Sequence, residues 1–396
     1  MTQSPRRQGG PDVTRSAEPG ITAATERAHG RTGAREGTGA SEQRPAVIGL
    51  LASVGITLDA FFLEIIERWR EQGAVVECAA GSPAESFDEV TVLDSVTRTP
   101  SPRNRRSRTE LREWVREKGI DVVITNTATA SMLVRAAGVG VPVVYFCHGL
   151  HWNGRRPADL PFRAVERLLV PRTDGIVCLN SADEEWFARH APRTPRMRLL
   201  GGVGLDTVRY VRRPALTWCE GEEPLRLVWC GEFSARKNPA AAVRLAHHLR
   251  DRGIDVVLDM LGHGELFDAE DTRSPVEGLV CRHGNTDVVP YFEQAHVLVQ
   301  TSRWEGLPRV GLEAIAIGLP VVGFDVKGVQ DLPAVQLAPE DDIAALAGVV
   351  LSSARGEGPT LPDPSTLSCA HAADRLLEFA QSVRTGRFAR GPVYTA

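Results

Sequence analysis

Beyond residue 44 the chain alternates short apolar runs with longer segments whose apolar positions recur at helical spacing. Ala46–Leu51 reads as a buried strand. Leu58–Glu71 reads as a helix with Phe61, Phe62, Ile65, Ile66 and Trp69 along one face. Strands are predicted over Ala74–Cys78, Val90–Asp94, Asp121–Thr125, Val141–Phe146 and Asp174–Leu179, with helices at Arg108–Lys118, Ala128–Ala137, Pro161–Val170 and Ala182–His190. A polar stretch at Arg212–Pro224 interrupts the pattern. It then restarts with strands Leu225–Cys230, Asp255–Leu261, Leu279–Arg282, His296–Gln300 and Pro320–Phe324. Helices are predicted at Pro239–Asp251, Asp287–Gln294, Pro308–Ile317, Asp341–Ser353 and Thr366–Val383. Apolar strands alternating with amphipathic helices predict an α/β protein of doubly wound parallel sheets. We therefore expect an N-terminal domain over 45–212, a linker at 213–224, a C-terminal domain over 225–365, a closing helix at 366–385 and a tail at 386–396. The cleft between the domains is then the default ligand site.

Composition narrows this picture. With 42% hydrophobic and 24% charged residues and a formal net charge of −4, the chain is an ordinary globular protein and not a basic nucleic-acid binder. Its longest membrane-span candidate, Ile315–Phe324, is too short and is broken by Gly318 and Pro320. At most peripheral contact with a membrane is expected. The seven cysteines are scattered without a CxxC pair, which reads as reduced core thiols of a cytoplasmic protein. Residues 1–44 carry almost no large apolar side chains and read as a disordered extension. Arginine outnumbers lysine 43 to three, so Lys118, Lys237 and Lys327 each suggest a place where an ammonium is needed.

The chemistry concentrates in Ser302-Arg-Trp-Glu305-Gly306-Leu307-Pro308-Arg309-Val-Gly-Leu-Glu313. Pro308 suits the first position of a helix that Gly318 ends. The amides of Gly306, Leu307, Arg309 and Val310 are then free to seat a phosphate, and Glu305 and Glu313 lie within reach of hydroxyl groups on the same ligand. Elsewhere, Ser53 and Gly55 form a loop after the first strand, where a glycine permits close approach of a donor or acceptor. His148 follows a strand at the edge where open sheets bind ligands. Cys147, His148 and His151 lack a fourth partner at metal-ligand spacing, so no metal is expected. Arg98, Arg103, Arg105, Arg106 and Arg108 form a basic run, read either as a solvated loop or as a patch for a phosphate-bearing acceptor or an anionic membrane surface.

The two glutamates with seven residues between them, within Glu-Gly-Leu-Pro and Glu-Ala-x-Ala-x-Gly-x-Pro-Val-Val, resemble glycosyltransferase family 4. Trp229-Cys-Gly231-Glu-Phe-Ser-Ala-Arg236-Lys237-Asn238-Pro239, Val144-Tyr-Phe-Cys-His148-Gly149-Leu-His151 and Leu200-Gly-Gly-Val203-Gly204-Leu-Asp206-Thr207 extend the likeness over 46–385. The wording is most similar to the branch that builds bacterial capsular and exopolysaccharide units. The resemblance implies a GT-B architecture and a retaining transfer from a UDP- or dTDP-sugar, with no cofactor or metal. By it, Glu305 and His148 lie at the donor sugar, Glu313 binds the ribose, Lys237 and Arg236 neutralise the departing diphosphate, and Arg282 and His283 lie near the base. Cations and helix amides at those positions suit a leaving group that gains negative charge. One departure stands out: Glu232 occupies a position where the family often has arginine.

Two acceptor classes remain open at this stage, a polyprenyl-diphosphate-linked sugar for surface polysaccharide and a soluble aglycone such as an antibiotic aminocyclitol. A nucleotide-sugar 2-epimerase on the same fold is a further alternative. A vestigial, non-catalytic nucleotide-binding subunit is disfavoured by the intact Glu305, Glu313 and Lys237.

Overall fold

The computed structural model describes residues 45–86, 89–150, 152, 157–387 and 394–395. The extension expected at 1–44, His151 and most of the expected tail lie outside them.

Strands β1 (Val47–Ala52), β2 (Val75–Ala80), β3 (Thr91–Val92), β4 (Val122–Thr125), β5 (Val143–Cys147), β6 (Gly175–Cys178) and β7 (Arg196–Arg198) belong to one sheet. Strands β8 (Leu225–Cys230), β9 (Val256–Leu261), β10 (Val280–Gly284), β11 (Val297–Gln300), β12 (Val321–Phe324) and β13 (Gln336–Ala338) form a second. A last short strand, β14 (Tyr394–Thr395), returns to the edge of the first sheet. The orders are β14-β7-β6-β5-β4-β1-β2-β3 and β10-β9-β8-β11-β12-β13, and all pairings are parallel. Fully buried runs such as Val-Ile-Gly-Leu-Leu-Ala in β1 and Val-Val-Tyr-Phe-Cys in β5 are what a sheet covered on both faces requires.

The helices supply that cover. They are α1 (Ile56–Phe61), α2 (Leu63–Glu71), α3 (Ser107–Glu117), α4 (Ala128–Ala137), α5 (Leu160–Leu169) and α6 (Ser181–His190) around the first sheet. In the second half come α7 (Pro239–Asp251), α8 (Val289–Phe292), α9 (Arg309–Ile317), α10 (Ile343–Ala354) and α11 (Cys369–Thr385). The last helix packs back on the first lobe: Trp69 donates its indole N–H to the Ala373 carbonyl at 2.7 Å, and Arg68 pairs with Asp374. The doubly wound parallel architecture is thus as the pattern predicts.

Several details differ. The predicted helix Leu58–Glu71 is two, broken at Phe62, whose φ of −126° lies outside the helical range. Phe62, Ile65, Ile66 and Trp69 are buried, but Phe61 turns outward. Strands β7 and β13, with three residues each and little alternation, were not expected. Helix α9 begins at Arg309, with Pro308 as its cap and not its first residue. The polar stretch 212–224 is fastened down: Arg212 donates to the carbonyls of Ile315, Ala316 and Pro362, and Trp218 is buried. Cys219 in that stretch is exposed, so it is no core thiol.

Candidate active site

In both sheets the strands' carboxyl ends lead into the loops that carry the candidate residues. In the second lobe, β11 runs out into Thr301 and Ser302, both buried, and the chain turns at Glu305 into the start of α9. Opposite it, β8 runs out through Gly231 to Lys237 and Asn238, where α7 begins. Thr301 ties the two loops together, its hydroxyl donating to the Asn238 carbonyl at 2.9 Å.

The centre of the arrangement is Glu305. Its carboxylate is buried, with Lys237 Nζ 2.8 Å from Oε1 and Arg236 Nη1 2.5 Å from Oε2. The Ser302 hydroxyl donates to Oε1 at 2.8 Å. Burial alone would raise the carboxyl's pKa, but Lys237, Arg236 and Ser302 outweigh it and hold the value below the ordinary one. Glu305 is therefore an ionised acceptor. In the sequence Ser302 is marked only by its place at the head of the motif.

Glu313 lies one turn into α9, held by Arg309 Nε at 3.1 Å and by the Tyr210 hydroxyl. Burial and this carboxylate push the Tyr210 phenol well above its usual pKa, so it stays a hydrogen-bond donor. Arg309 reaches across to the first lobe and sits 5.7 Å over the ring of Phe61. This accounts for the outward turn of that side chain, in a cation–π geometry.

The two lobes meet at Gly306. A Cβ there would lie 1.8 Å from the His148 carbonyl oxygen, and one on Gly149 would lie 2.9 Å from the Gly306 Cα. Only glycines permit so close a crossing. Asn180, the cap of α6, donates to the Gly306 carbonyl at 2.9 Å. His148 itself stacks on Phe146, with ring centroids 4.4 Å apart, and meets the edge of Phe62. Among the described residues its Nε2 has no hydrogen-bond partner. Burial lowers its pKa to about 4, so the imidazole is neutral near pH 7. His148, Phe61, Leu307, Arg309 and the Gly201–Leu205 turn line a small crevice between the lobes.

A larger cavity of about 320 Å³ opens at the carboxyl edge of the second sheet, lined by Gly231, Glu232, Gly262, His263, Asn285 and Thr286 among others. Arg282 and His283, expected near a base, are not among its lining residues. Arg282 bonds to the Phe267 carbonyl and lies over that ring, and His283 Nε2 is 2.6 Å from Asp259. Glu232 lies 3.9 Å from Arg236, so the acidic residue at that position and the arginine four residues on form a loose pair. The Ser53–Gly55 loop also differs from expectation. The Gly55 amide donates to the Ser82 hydroxyl, and a Cβ on Gly55 would lie 2.0 Å from the Pro83 carbonyl oxygen. Its close approach is to that neighbouring segment. Ser53 is buried, and its amide donates to Thr127.

Each of the three lysines is in an ion pair: Lys118 with Glu77, Lys237 with Glu305, and Lys327 with Asp183 at 2.6 Å. Lys327 joins the lobes, and its ammonium also donates to the carbonyls of Leu150 and Trp152. Its own carbonyl accepts the Glu305 amide at 2.8 Å. Its rarity was the available signal, but no motif assigned it a partner. Among the described residues no cluster of three His, Cys, Asp or Glu side chains is placed to hold a metal.

Comparison with known proteins agrees with this layout. Residues 58–202 match the model of the glycosyl transferase 4-like domain, and 224–354 match glycosyl transferases group 1. The chain is 23% identical over 246 residues to an Escherichia coli UDP-Gal:alpha-D-GlcNAc-diphosphoundecaprenol alpha-1,3-galactosyltransferase, covering 57% of this chain and 63% of that protein. It is 27% identical over 157 residues to the amylovoran biosynthesis glycosyltransferase AmsK of Erwinia amylovora, covering 35% of this chain and 38% of the relative. The matches thus span less than two thirds of either relative's length. Among solved structures, Anabaena HepE in complex with UDP superposes with a TM-score of 0.62 at 16% identity, covering 85% of this chain and 99% of HepE. The lipopolysaccharide outer core galactosyltransferase WaaB gives 0.63 at 14% identity, covering 86% and 100%.

Proposed function

From a chain whose two halves belong to the glycosyl transferase 4-like and group 1 families, we propose a retaining glycosyltransferase. It moves a sugar from a UDP-sugar, or its dTDP counterpart, to a hydroxyl of a lipid-linked acceptor in surface-polysaccharide assembly. The observation that carries the reading is the buried, ionised Glu305 carrying Lys237 and Arg236 at the start of α9, directly across from His148. The E. coli relative's acceptor, a sugar on diphosphoundecaprenol, supports the lipid-linked class. The UDP held by HepE supports a uridine donor.

In this reading the bond between the sugar's anomeric carbon and the β-phosphate oxygen breaks as the acceptor oxygen bonds to the same face. The acceptor proton passes to the departing diphosphate. That group gains charge, and Lys237, Arg236 and the leading amides of α9 stabilise it. Glu305 accepts hydrogen bonds from sugar hydroxyls. The neutral His148 holds another hydroxyl through Nε2. Glu313, with Tyr210 beside it, takes the ribose, and the cavity beside Gly231 takes the remainder of the nucleotide.

Thermal unfolding of the purified protein with UDP, dTDP, GDP or ADP tests the donor site. Saturation near 100-fold over Kd stabilises by about 2.7 kcal/mol. Transfer of radiolabelled sugar into an organic-extractable product tests the acceptor. A shift with UDP or dTDP and label in the organic phase are expected. No shift with any nucleotide, or isomerised donor without transferred product, overturns the proposal.

A further inference from the structure

Helix α5 buries Leu169 but leaves most of its large apolar side chains in the open. Its charged Glu166 is buried, gripped by the two terminal guanidinium nitrogens of the buried Arg135 of α4. Four of its apolar side chains face outward instead: Leu160, Phe162, Val165 and Leu168 are 60%, 57%, 41% and 69% exposed. An amphipathic helix normally buries its apolar side, and a cluster of exposed large apolar side chains marks a surface that something covers.

Asp159 caps the start of this helix, and the exposed charges along it and in the turn Val170–Arg172 are basic. Arg167 and Arg172 are exposed and form no ion pair among the described residues. Along the same side of the first sheet, α3 packs on α4 and α4 on α5. All three helices begin at the carboxyl ends of their strands, so their amino termini share one rim. Ahead of α3 and in its first turn, that rim carries Arg98, Arg103, Arg105, Arg106 and Arg108, all exposed and without an ion-pair partner among the described residues. No acidic residue interrupts the stretch from Arg98 to Arg108. Thr129, in the first turn of α4, fixes the loop there by donating to the Arg98 carbonyl. The chain as a whole has a net charge of −4, so this is a local concentration of positive charge.

We propose that α5 and the Arg98–Arg108 segment together form a docking surface for an anionic lipid bilayer. The apolar side chains enter the interface and the arginines meet the head groups. A second copy of this chain fits less well, because a two-fold interface would set the arginine rim against itself. The inference rests on the lipid-linked acceptor proposed above. His148 lies at the carboxyl end of β5 and the amino terminus of α5 lies at that same edge of the sheet, so a bilayer docked on the rim would face the edge that carries the crevice.

The test is flotation of the full-length protein with phosphatidylglycerol/phosphatidylethanolamine vesicles and with phosphatidylcholine vesicles, at low and high salt. Salt-sensitive binding to the anionic vesicles alone is expected. The triple variant Leu160→Ser, Phe162→Ser, Leu168→Ser should weaken it by at least about tenfold. Arg103→Gln, Arg105→Gln, Arg106→Gln should weaken it roughly fivefold per arginine. The serine variant should keep the UDP-dependent thermal shift and lose only transfer to vesicle-embedded acceptor, so docking is read separately from donor binding. No binding by the parent protein, or binding unchanged in the serine variant, overturns the proposal. So does a parent dimer that the serine variant splits without any vesicle binding.

Discussion

At the scale of single residues, the site depends on a balance of charge around Glu305. Replacing it by Gln keeps the shape but leaves Lys237 and Arg236 without their counter-charge in a buried place. Those cations are then fully available to a diphosphate. We expect Glu305→Gln to bind UDP at least as tightly as the parent, by calorimetry, while transfer falls about 10²–10³-fold. Lys237→Ala should lose both affinity and turnover. Weaker UDP binding in the Gln variant would show that the carboxylate is not competing with phosphate for these cations. His148 adds a pH signature. Its folded pKa of about 4 lies below the ordinary 6.5, so unfolding takes up a proton between those values. It therefore costs the native state stability as pH falls from about 6.5 towards 4. His148→Gln should show a shallower loss over that window in denaturant titrations. The buried His296, also lowered by desolvation, titrates the same way in both proteins and cancels in the comparison. Glu305 acts lower: its stabilisation is present above the ordinary carboxylate pKa and is lost as pH falls through its depressed value.

At the scale of elements, the start of α9 is where fold and chemistry coincide, and Gly306 shows why. Gly306→Ala would place a Cβ 1.8 Å from the His148 carbonyl oxygen, so the loop must back away from the first lobe. An expected cost of about 1–3 kcal/mol in unfolding free energy should accompany a loss of transfer larger than the stability change alone explains. Unchanged turnover would show that the crossing tolerates a shift. This element was legible in the sequence because its parts are local: a strand end, Glu305, Gly306, Pro308 and the Gly318 stop lie in one short stretch. Helices α4 and α7 and strand β8 were legible for the same reason, with clear periodicity and clean ends. The break at Phe62 was not, since Phe61, Phe62, Ile65, Ile66 and Trp69 keep helical spacing through it. Short strands such as Arg-Met-Arg in β7 have too few apolar positions to alternate. Arg282 and His283 were legible as a strand end, but that Phe267 and Asp259 hold their side chains was not, because those partners lie far off in the chain.

At the scale of the whole molecule, what joins the lobes links residues far apart in the chain, and no sequence pattern announces it. Lys327 and Asp183 are the strongest such link: both are nearly buried, 2.6 Å apart, and each is braced by hydrogen bonds, Asp183 from Asn180 and the Leu150 amide. The turn after Lys327 adds Asp331, which accepts the Ser181 amide at 2.8 Å. Because the Lys327 carbonyl also receives the Glu305 amide, the pair that joins the lobes bears directly on the carboxylate proposed to meet the donor. Removing one partner leaves the other charge buried and alone, which costs about 3–5 kcal/mol, whereas removing both costs much less. Lys327→Met should therefore destabilise strongly in thermal and denaturant unfolding. Adding Asp183→Asn should recover part of the loss, with a double-mutant coupling above about 1 kcal/mol. Both variants should lower turnover more than UDP affinity, because the cavity proposed for the nucleotide lies wholly on the second lobe while the proposed roles of Glu305 and His148 need both lobes. Additive effects on stability would mean that the two charges do not meet in solution, and the lobes would then be held by the other links between them, among them the Gly306 crossing, the Asn180 bond and the Asp331–Ser181 bond.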